Sequence, residues 1–435
     1  MKYTLKITTI LLAVLSFAAC TNEEDDVFSE SAANRLTLSM GEYSDLLKSS
    51  ENGWAMQFFP SELEMGGIAM TAKFDGSEVE LRSENSISYN GQSVKTGTPV
   101  QSMYSVKSEQ GVILTFNTYN VLLHYYSQPK DPDDVDGYAS DYEFVFQRVS
   151  ENRDSIFFKG KKYGNEMTLV KLNGDAEKYI SNVHSVDTAV AMLPRTKFVV
   201  GEKKHHISFN DHKLILTPDG TIGDKTMTLP YVYNDKGFRL YEPLVLDGKA
   251  YSNFEYNTEN GNIYAAGTDD NIPYPTKMEQ FLGAKHAWEF IMDLTTGSHE
   301  MNDELYNLIA EKKDFSSYQI LKTLHIGPNS YYISGVGKYA MTLQYGFSFF
   351  GFMMQYSHYG VLLSADDDET INISDGGPDN SYDFYKASTD SSREYIINHS
   401  PYKVKFNDGL NATSATFVST KDSNVWFNIK IDENR

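Results

Sequence analysis

Ile68-Ala69-Met70-Thr71-Ala72-Lys73-Phe74-Asp75-Gly76 is the stretch that sets the architecture. Ile68, Met70, Ala72 and Phe74 share one side of a two-residue period, and Asp75-Gly76 turns the chain. Strand-like runs follow at 79–82, 87–89, 112–116, 121–126, 142–147, 156–159 and 167–172, with Asn90-Gly91 as a second turn. Their spacing suits an antiparallel meander, barrel or sandwich. The abundance of aromatics, 30 Tyr and 25 Phe beside 3 Trp, favours strands as well.

Outward from that region the period changes. Leu36, Met40, Tyr43 and Leu47 fall on one helical face, predicting a helix over 32–48. Tyr179, Ile180, Val183, Val186, Val190 and Leu193 predict another over 175–193, stopped by Pro194. A second β region runs over 197–266, its turns marked by Pro218-Asp219-Gly220, Asp247-Gly248 and Asn260-Gly261. Leu305, Leu308 and Ile309 place a helix near 302–312, and the last 120 residues read as strands, including 345–356 and 425–431. No repeat of fixed period emerges, which argues against a propeller or solenoid. The expected fold is mainly β, a β-rich α+β chain of two or three antiparallel barrel-like or sandwich-like domains with a few helices. Its expected divisions are 31–174, 175–299 and 300–435.

Ahead of these lie two further segments. Lys2 and Lys6 flank a charged start, an apolar run covers 7–19, and Cys20 follows. Such a pattern is a secretory signal, and the apolar run is too short for a bilayer, which takes about 20 residues. Ala18-Ala19-Cys20 resembles the lipobox of bacterial lipoproteins, with Phe17 where Leu is commoner. The resemblance implies that Cys20 is acylated and becomes the mature N-terminus. Glu23-Glu24-Asp25-Asp26, within the linker 20–30, resembles the acidic export signal of Bacteroidetes-type lipoproteins; a solvated spacer is the competing reading. The expected location is the outer membrane, lipid-anchored at the cell surface, with the periplasmic face as the alternative.

Net charge is −21, and removing 1–19 with its two lysines brings it to −23. Such acidity repels phosphate backbones and anionic lipid, which excludes nucleic acid as a partner. Cys20 is the single cysteine, so once it is acylated disulfides, thiolate metal sites and cysteine nucleophiles are closed.

The constellations that carry chemistry are few. His299-Glu300 opens like a zinc-protease helix, but Asp303 stands where the second His is required, and a helix cap is the simpler account. His205, His206 and His212 lie close, yet adjacent strand residues point to opposite faces. Asp131, Asp133, Asp134 and Asp136 put four carboxylates into one loop, a candidate Ca2+ site that departs from the EF-hand at Val135 and Tyr142. A solvated acidic loop is the alternative, and no other cofactor is expected. Gly335-Val336-Gly337-Lys338-Tyr339-Ala340 matches a loose dinucleotide fingerprint but precedes a strand-like run. Tyr119, His124, Tyr125 and Tyr126 form the candidate ligand platform, since alternation along a strand turns at least one tyrosine outward; core packing competes.

Several separated motifs occur in order: Gly53-Trp54, Gly66-Gly67, Leu114 to Asn120 with His124, Asp141-Tyr142-Glu143-Phe144, Lys159 to Lys162, Leu216 to Gly220, and Gly237-Phe238. Together they resemble the Bacteroidetes lipoproteins grouped as domain of unknown function 4302, over about residues 29–266. That resemblance implies no activity. It implies a setting beside TonB-dependent outer-membrane transporters and SusD-like proteins as partners. The expected role is a non-catalytic accessory that binds or presents a glycan or peptide nutrient. The alternatives are a metal-free surface hydrolase using paired carboxylates, and a structural or adhesive surface protein.

Overall fold

The computed structural model describes residues 32–61, 65–109, 111–129, 135–191, 193–217, 225–284, 286–328, 341–365, 367–378 and 382–432. Cys20 and its flanks lie outside them, as do Asp131, Asp133, Asp134 and the fingerprint at 335–340. The fold is β-rich, with few helices. It divides into two compact units, one ending at Ser181 and the other beginning at Asn182.

The first unit holds helix α1 (Ala32–Lys48) and strands β1 (Trp54–Ser61), β2 (Gly66–Asp75), β3 (Glu78–Ser83), β4 (Ile87–Tyr89), β5 (Gln92–Val94), β6 (Val100–Ser108) and β7 (Val112–Phe116). Helix α2 (Val121–His124), β8 (Glu143–Val149), β9 (Ser155–Gly160) and β10 (Glu166–Lys171) complete it. Eight strands close into a barrel in the order β1-β10-β9-β8-β7-β6-β3-β2, with β4 and β5 a side hairpin. Closure comes from pairing Trp54 with Lys171 and Phe58 with Met167. The alternation read at 68–74 is present: Ile68, Met70, Ala72 and Phe74 enter the core with Trp54, Phe58, Leu114, Phe144 and Phe158. Burying each such large side chain contributes roughly 1.5–3 kcal/mol. The opposite face of β2 is covered too, since Ala69 and Thr71 are also buried, while α1 packs by Leu46 and Leu47 against the core side that holds Trp54 and Ala72. Trp54 Nε1–H donates to the Leu47 carbonyl at 2.7 Å, fastening the end of α1 to the barrel. Gly53, at φ +82°, leads in; a Cβ there would lie 2.9 Å from the Ala72 oxygen.

Helix α3 (Ala176–Ala191) carries the division between the units. In the second unit, β11 (Lys197–Val200), β12 (Lys203–Asn210), β13 (Lys213–Leu216), β14 (Met227–Tyr233), β15 (Gly237–Leu246), β16 (Lys249–Tyr256), β17 (Ile263–Ala265) and β18 (Asn271–Ile272) form a closed meander in chain order. Helix α4 (Lys277–Leu282) follows, with a capping box between Thr276 and Glu279. It ties this barrel to the next structure: Glu279 meets Lys197 at 3.0 Å, and Gln280 bonds the backbone of Leu410 and Ala412.

The third ring is built from β19 (Trp288–Phe290), helix α5 (Asp303–Ala310), β20 (Asp314–Ser316), β21 (Gln319–Pro328), β22 (Met341–Phe349), β23 (Met353–Ala365), β24 (Thr370–Pro378), helix α6 (Tyr382–Asn398), β25 (Tyr402–Phe406), β26 (Ser414–Ser419) and β27 (Trp426–Ile431). β19 pairs with both β27 and β21, closing eight strands and leaving β20 at the side. This ring takes in Trp288, ahead of the division placed at residue 300. No helix among the described residues is long and apolar enough to cross a membrane.

Two readings of secondary structure need correction. The run 121–126 is not a strand: it is α2 followed by a 3₁₀ turn at Tyr125–Ser127. Asn120 decides this, its side chain accepting the Leu122 N–H at 3.1 Å as an N-cap. The last 120 residues are not all strand, because α6 spans 17 of them. Its inward face is Tyr382, Tyr385, Thr389, Ser392 and Ile396, helical in spacing but too polar to show as an apolar stripe.

Candidate ligand-binding site

One end of the first barrel gathers aromatic rings. Asn120 sits fully buried, its Nδ2 donating to the Val100 carbonyl at 3.2 Å and to Ser102 Oγ at 3.1 Å. That fixes the start of α2, whose Val121, Leu122 and Leu123 enter the barrel core. The turn then swings His124 between two tyrosines. Its ring lies 5.4 Å from Tyr119 and 5.2 Å from Tyr142, nearly parallel to the latter at 27°. Both tyrosines are 45% exposed, whereas His124 is buried. The three rings form a strip with a buried imidazole between two half-exposed tyrosines, and exposed Met103 is held nearby by the Met103–Asn117 backbone bond.

Electrostatics keep this strip neutral. Burial pulls the His124 pKa down, against opposing hydrogen bonds from the Asn120 and Phe116 backbone, so the imidazole is uncharged at pH 7. Burial, helped by Tyr89, pushes the Tyr119 hydroxyl up, keeping it a hydrogen-bond donor. A neutral imidazole with the Tyr119 hydroxyl beside it suits stacking and hydrogen bonding rather than proton transfer.

The four residues proposed from sequence therefore separate. Tyr119 and His124 belong to the strip, Tyr125 is half-buried, and Tyr126 is fully buried against Phe58 and Tyr138. The strand alternation that was to expose one of them does not exist in a helical turn. Tyr142, which lies outside the platform expected from the sequence, completes the strip.

Asp141 places Tyr142. Its buried carboxylate accepts the N–H groups of Lys162 at 2.7 Å, Tyr163 at 3.0 Å and Asn165 at 3.3 Å, pinning the β9–β10 turn. Asn165 answers by accepting the Asp141 N–H at 2.8 Å and donating to the Pro60 carbonyl at 2.6 Å. Gly160 is required here, since a Cβ would fall 1.9 Å from Asp141 Oδ2. Phe116 N–H then bonds the Tyr142 carbonyl at 3.1 Å, setting Tyr142 beside the 117–120 segment. The motifs Asn117–His124, Asp141-Tyr142 and Gly160-Lys161-Lys162 thus converge on one place.

Of the acidic loop, only Asp136 lies among the described residues. Its carboxylate is engaged by the Tyr163 hydroxyl and by Lys162 Nζ at 3.3 Å, which hold its pKa below the usual range. Among the described residues no three His, Cys, Asp or Glu side chains are grouped to hold a metal ion.

The second unit offers two further constellations. Beside β12 and β14 lies a hollow of about 500 Å³ lined by Pro194, Arg195, Phe209, His212, Tyr231 and Tyr233 among others. His212 stacks on Tyr231 at 5.7 Å and 16°, while His205 is buried and His206 exposed, so the three histidines do not converge. Arg195 is buried on carbonyls, donating to Gly261 at 2.8 Å and Pro273 at 3.2 Å, and burial lowers its pKa to about 10. On the third ring the strand register aligns Lys430, Glu289, His325, Gln344 and His358 across five strands. His325 Nε2 lies 3.1 Å from Asp432. This row was invisible in the sequence because its members come from five separate strands. His299 bonds the Met301 carbonyl at 3.0 Å, and Asn302 precedes α5, as a helix start rather than a zinc motif.

No curated protein matches the chain. Among solved structures, the DNA polymerase sliding clamp from Caulobacter crescentus is 9% identical over 92% of this chain and 98% of its own, with a TM-score of 0.13. A second C. crescentus beta sliding clamp, with PEG bound, is 8% identical over 92% and 97%, again at 0.13. Scores of that size carry no argument. The sequence profile described as Domain of unknown function (DUF4302) matches residues 24–258, more than half of the chain, taking in the first barrel and β11 to β16 of the second. The protein belongs to the DUF4302 family.

Proposed function

We propose that this chain is a lipid-anchored protein of the cell surface, tethered through Cys20, that captures or presents a nutrient without transforming it. The ligand is a glycan or peptide carrying a flat ring face, and the setting is a TonB-dependent uptake system with a SusD-like partner. The observation that supports this reading is the strip Tyr119–His124–Tyr142, two half-exposed tyrosines flanking a neutral imidazole. Sugar rings and aromatic side chains stack on such faces, while hydroxyls at the rim fix orientation.

The test is a panel of oligosaccharides and peptides titrated against the purified protein and its Tyr119→Ala and Tyr142→Ala variants. Truncating an anchoring aromatic costs about 2 kcal/mol or more, so each variant binds roughly 30-fold more weakly. Half-exposed side chains contribute little to the core, so the thermal midpoint stays close to wild type. Equal affinity in all three proteins sinks the proposal.

A further inference from the structure

We propose that the β22–β23 hairpin of the third ring is a wedge that enters the interface of a neutral, zwitterionic lipid bilayer. Beyond the last paired residues, Phe349 and Met353, the turn exposes Phe350 (58%) and Phe352 (79%), with Met353 and Met354 exposed beside them. Phe350 adopts φ +51° and Gly351 φ +79°. A bulky side chain at positive φ is strained. The surrounding contacts sustain it: Phe350 N–H bonds the Tyr318 carbonyl at 2.9 Å, and its ring stacks on exposed Tyr318 at 5.2 Å and 23°. The fold therefore holds an aromatic outward in a conformation it would not adopt unaided.

Three observations point to lipid. The first is charge: from Met341 to Ala365 there is no Asp, Glu, Lys or Arg, in a chain in which 22% of residues are charged. Nothing on the hairpin carries the cost of taking an ion out of water. The second is area. At about 200 Å² per aromatic side chain, Tyr318, Phe350, Phe352 and the two methionines expose on the order of 500 Å². This reaches the upper range for an ordinary monomer surface, yet falls short of the roughly 800 Å² per partner that a standard protein pair buries. A bilayer needs no complementary surface of that size. The third is shape: the patch is the convex end of a hairpin, with Tyr318 stacked beside Phe350 and Tyr356 set back along β23, and tyrosines at the edge of an inserted apolar tip suit a water–lipid interface. The net charge of −21 selects a neutral rather than an anionic surface.

The experiment uses the full chain with Phe352→Trp. Trp54 and Trp288 are fully buried and Trp426 is half-buried, so the added emission reports the tip. Phosphatidylcholine vesicles with brominated acyl chains are added. Leu410→Trp serves as reference: this exposed side chain follows β25 at the opposite end of the ring, as the antiparallel order from β22 to β25 requires. The expected result is a blue shift and loss of most of the added emission for Phe352→Trp, with Leu410→Trp unchanged, even when an anchor brings both proteins to the vesicle. Equal response of the two reporters overturns the proposal. So does a blue shift that grows with protein concentration before vesicles are added, which assigns the patch to a second copy of the chain.

Discussion

Asp141→Ala removes the carboxylate on which the first barrel's aromatic end is assembled, and its cost can be worked out from its partners. Three N–H groups lose their acceptor: Lys162, Tyr163 and Asn165. The first two belong to a turn that water reaches, so each loses about 1 kcal/mol after rehydration. Asn165 is buried, and its stranded N–H adds about 1–3 kcal/mol. The total is about 4 kcal/mol, which for a barrel of this size lowers the unfolding midpoint by roughly 10 °C. Asp141→Asn keeps one acceptor oxygen and loses about half as much. Gly160→Ala acts on the same place from the other side, since its Cβ would lie 1.9 Å from Oδ2 and 2.4 Å from Cγ. Its cost therefore shrinks in an Asp141→Ala background, where both atoms are gone, and the two substitutions are not additive. The assay is thermal unfolding followed by Trp54 fluorescence in a Trp288→Phe/Trp426→Phe background, with Tyr142 accessibility to iodination read in parallel. A midpoint for Asp141→Ala within two degrees of wild type, or full additivity with Gly160→Ala, would refute the reasoning.

Gly237→Ala drives a Cβ to 1.9 Å from the Phe254 backbone oxygen, so β15 and β16 must separate; the second unit should lose several kcal/mol by urea unfolding, and an unchanged midpoint would show that the pair can slide apart freely. Burial, opposed by Lys430 and aided by Asp432, raises the Glu289 pKa. A carboxyl raised on folding contributes stability below its unfolded pKa and loses it as pH climbs through the folded value. Glu289→Gln should therefore gain thermal stability over wild type at pH 7–8 and lose that advantage near pH 4; a gain independent of pH would point to another cause. Trp54→Phe removes the bond to the Leu47 carbonyl and leaves a small cavity at a fully buried site, which should together cost about 2–3 kcal/mol and increase amide exchange at the end of α1; unchanged exchange there would mean that the bond does not hold the helix.

Local signals in the chain proved reliable and distant ones were silent. The two-residue period at Ile68–Phe74 and the 3.6-residue period of α1 each report a face that one element buries by itself, so both can be read without knowing the partner. Closure is different: β1 meets β10 through Trp54 and Lys171, and nothing in either segment encodes that pairing. Three rings of eight strands recur without any sequence period, because each is defined by hydrogen-bond order rather than by repeated side chains. The binding strip was half legible. Tyr119 and His124 stand close in sequence, but Tyr142 joins them only through the Phe116 backbone and Asp141's hold on the β9–β10 turn. The error at 121–126 came from weighing aromatic and β-branched content over Asn120, whose capping oxygen decided for helix.

Capture of a ring-bearing ligand by the Tyr119–His124–Tyr142 strip is tested most directly by hydroxyl-radical footprinting, with and without the tightest-binding oligosaccharide or peptide of the panel. Both tyrosines are half-exposed in the free protein and should lose most of their oxidation when the ligand is bound, while Tyr318 and Phe352 on the third ring keep theirs. Undiminished oxidation of Tyr119 and Tyr142 at saturating ligand, with protection appearing at His212 or elsewhere, would contradict it.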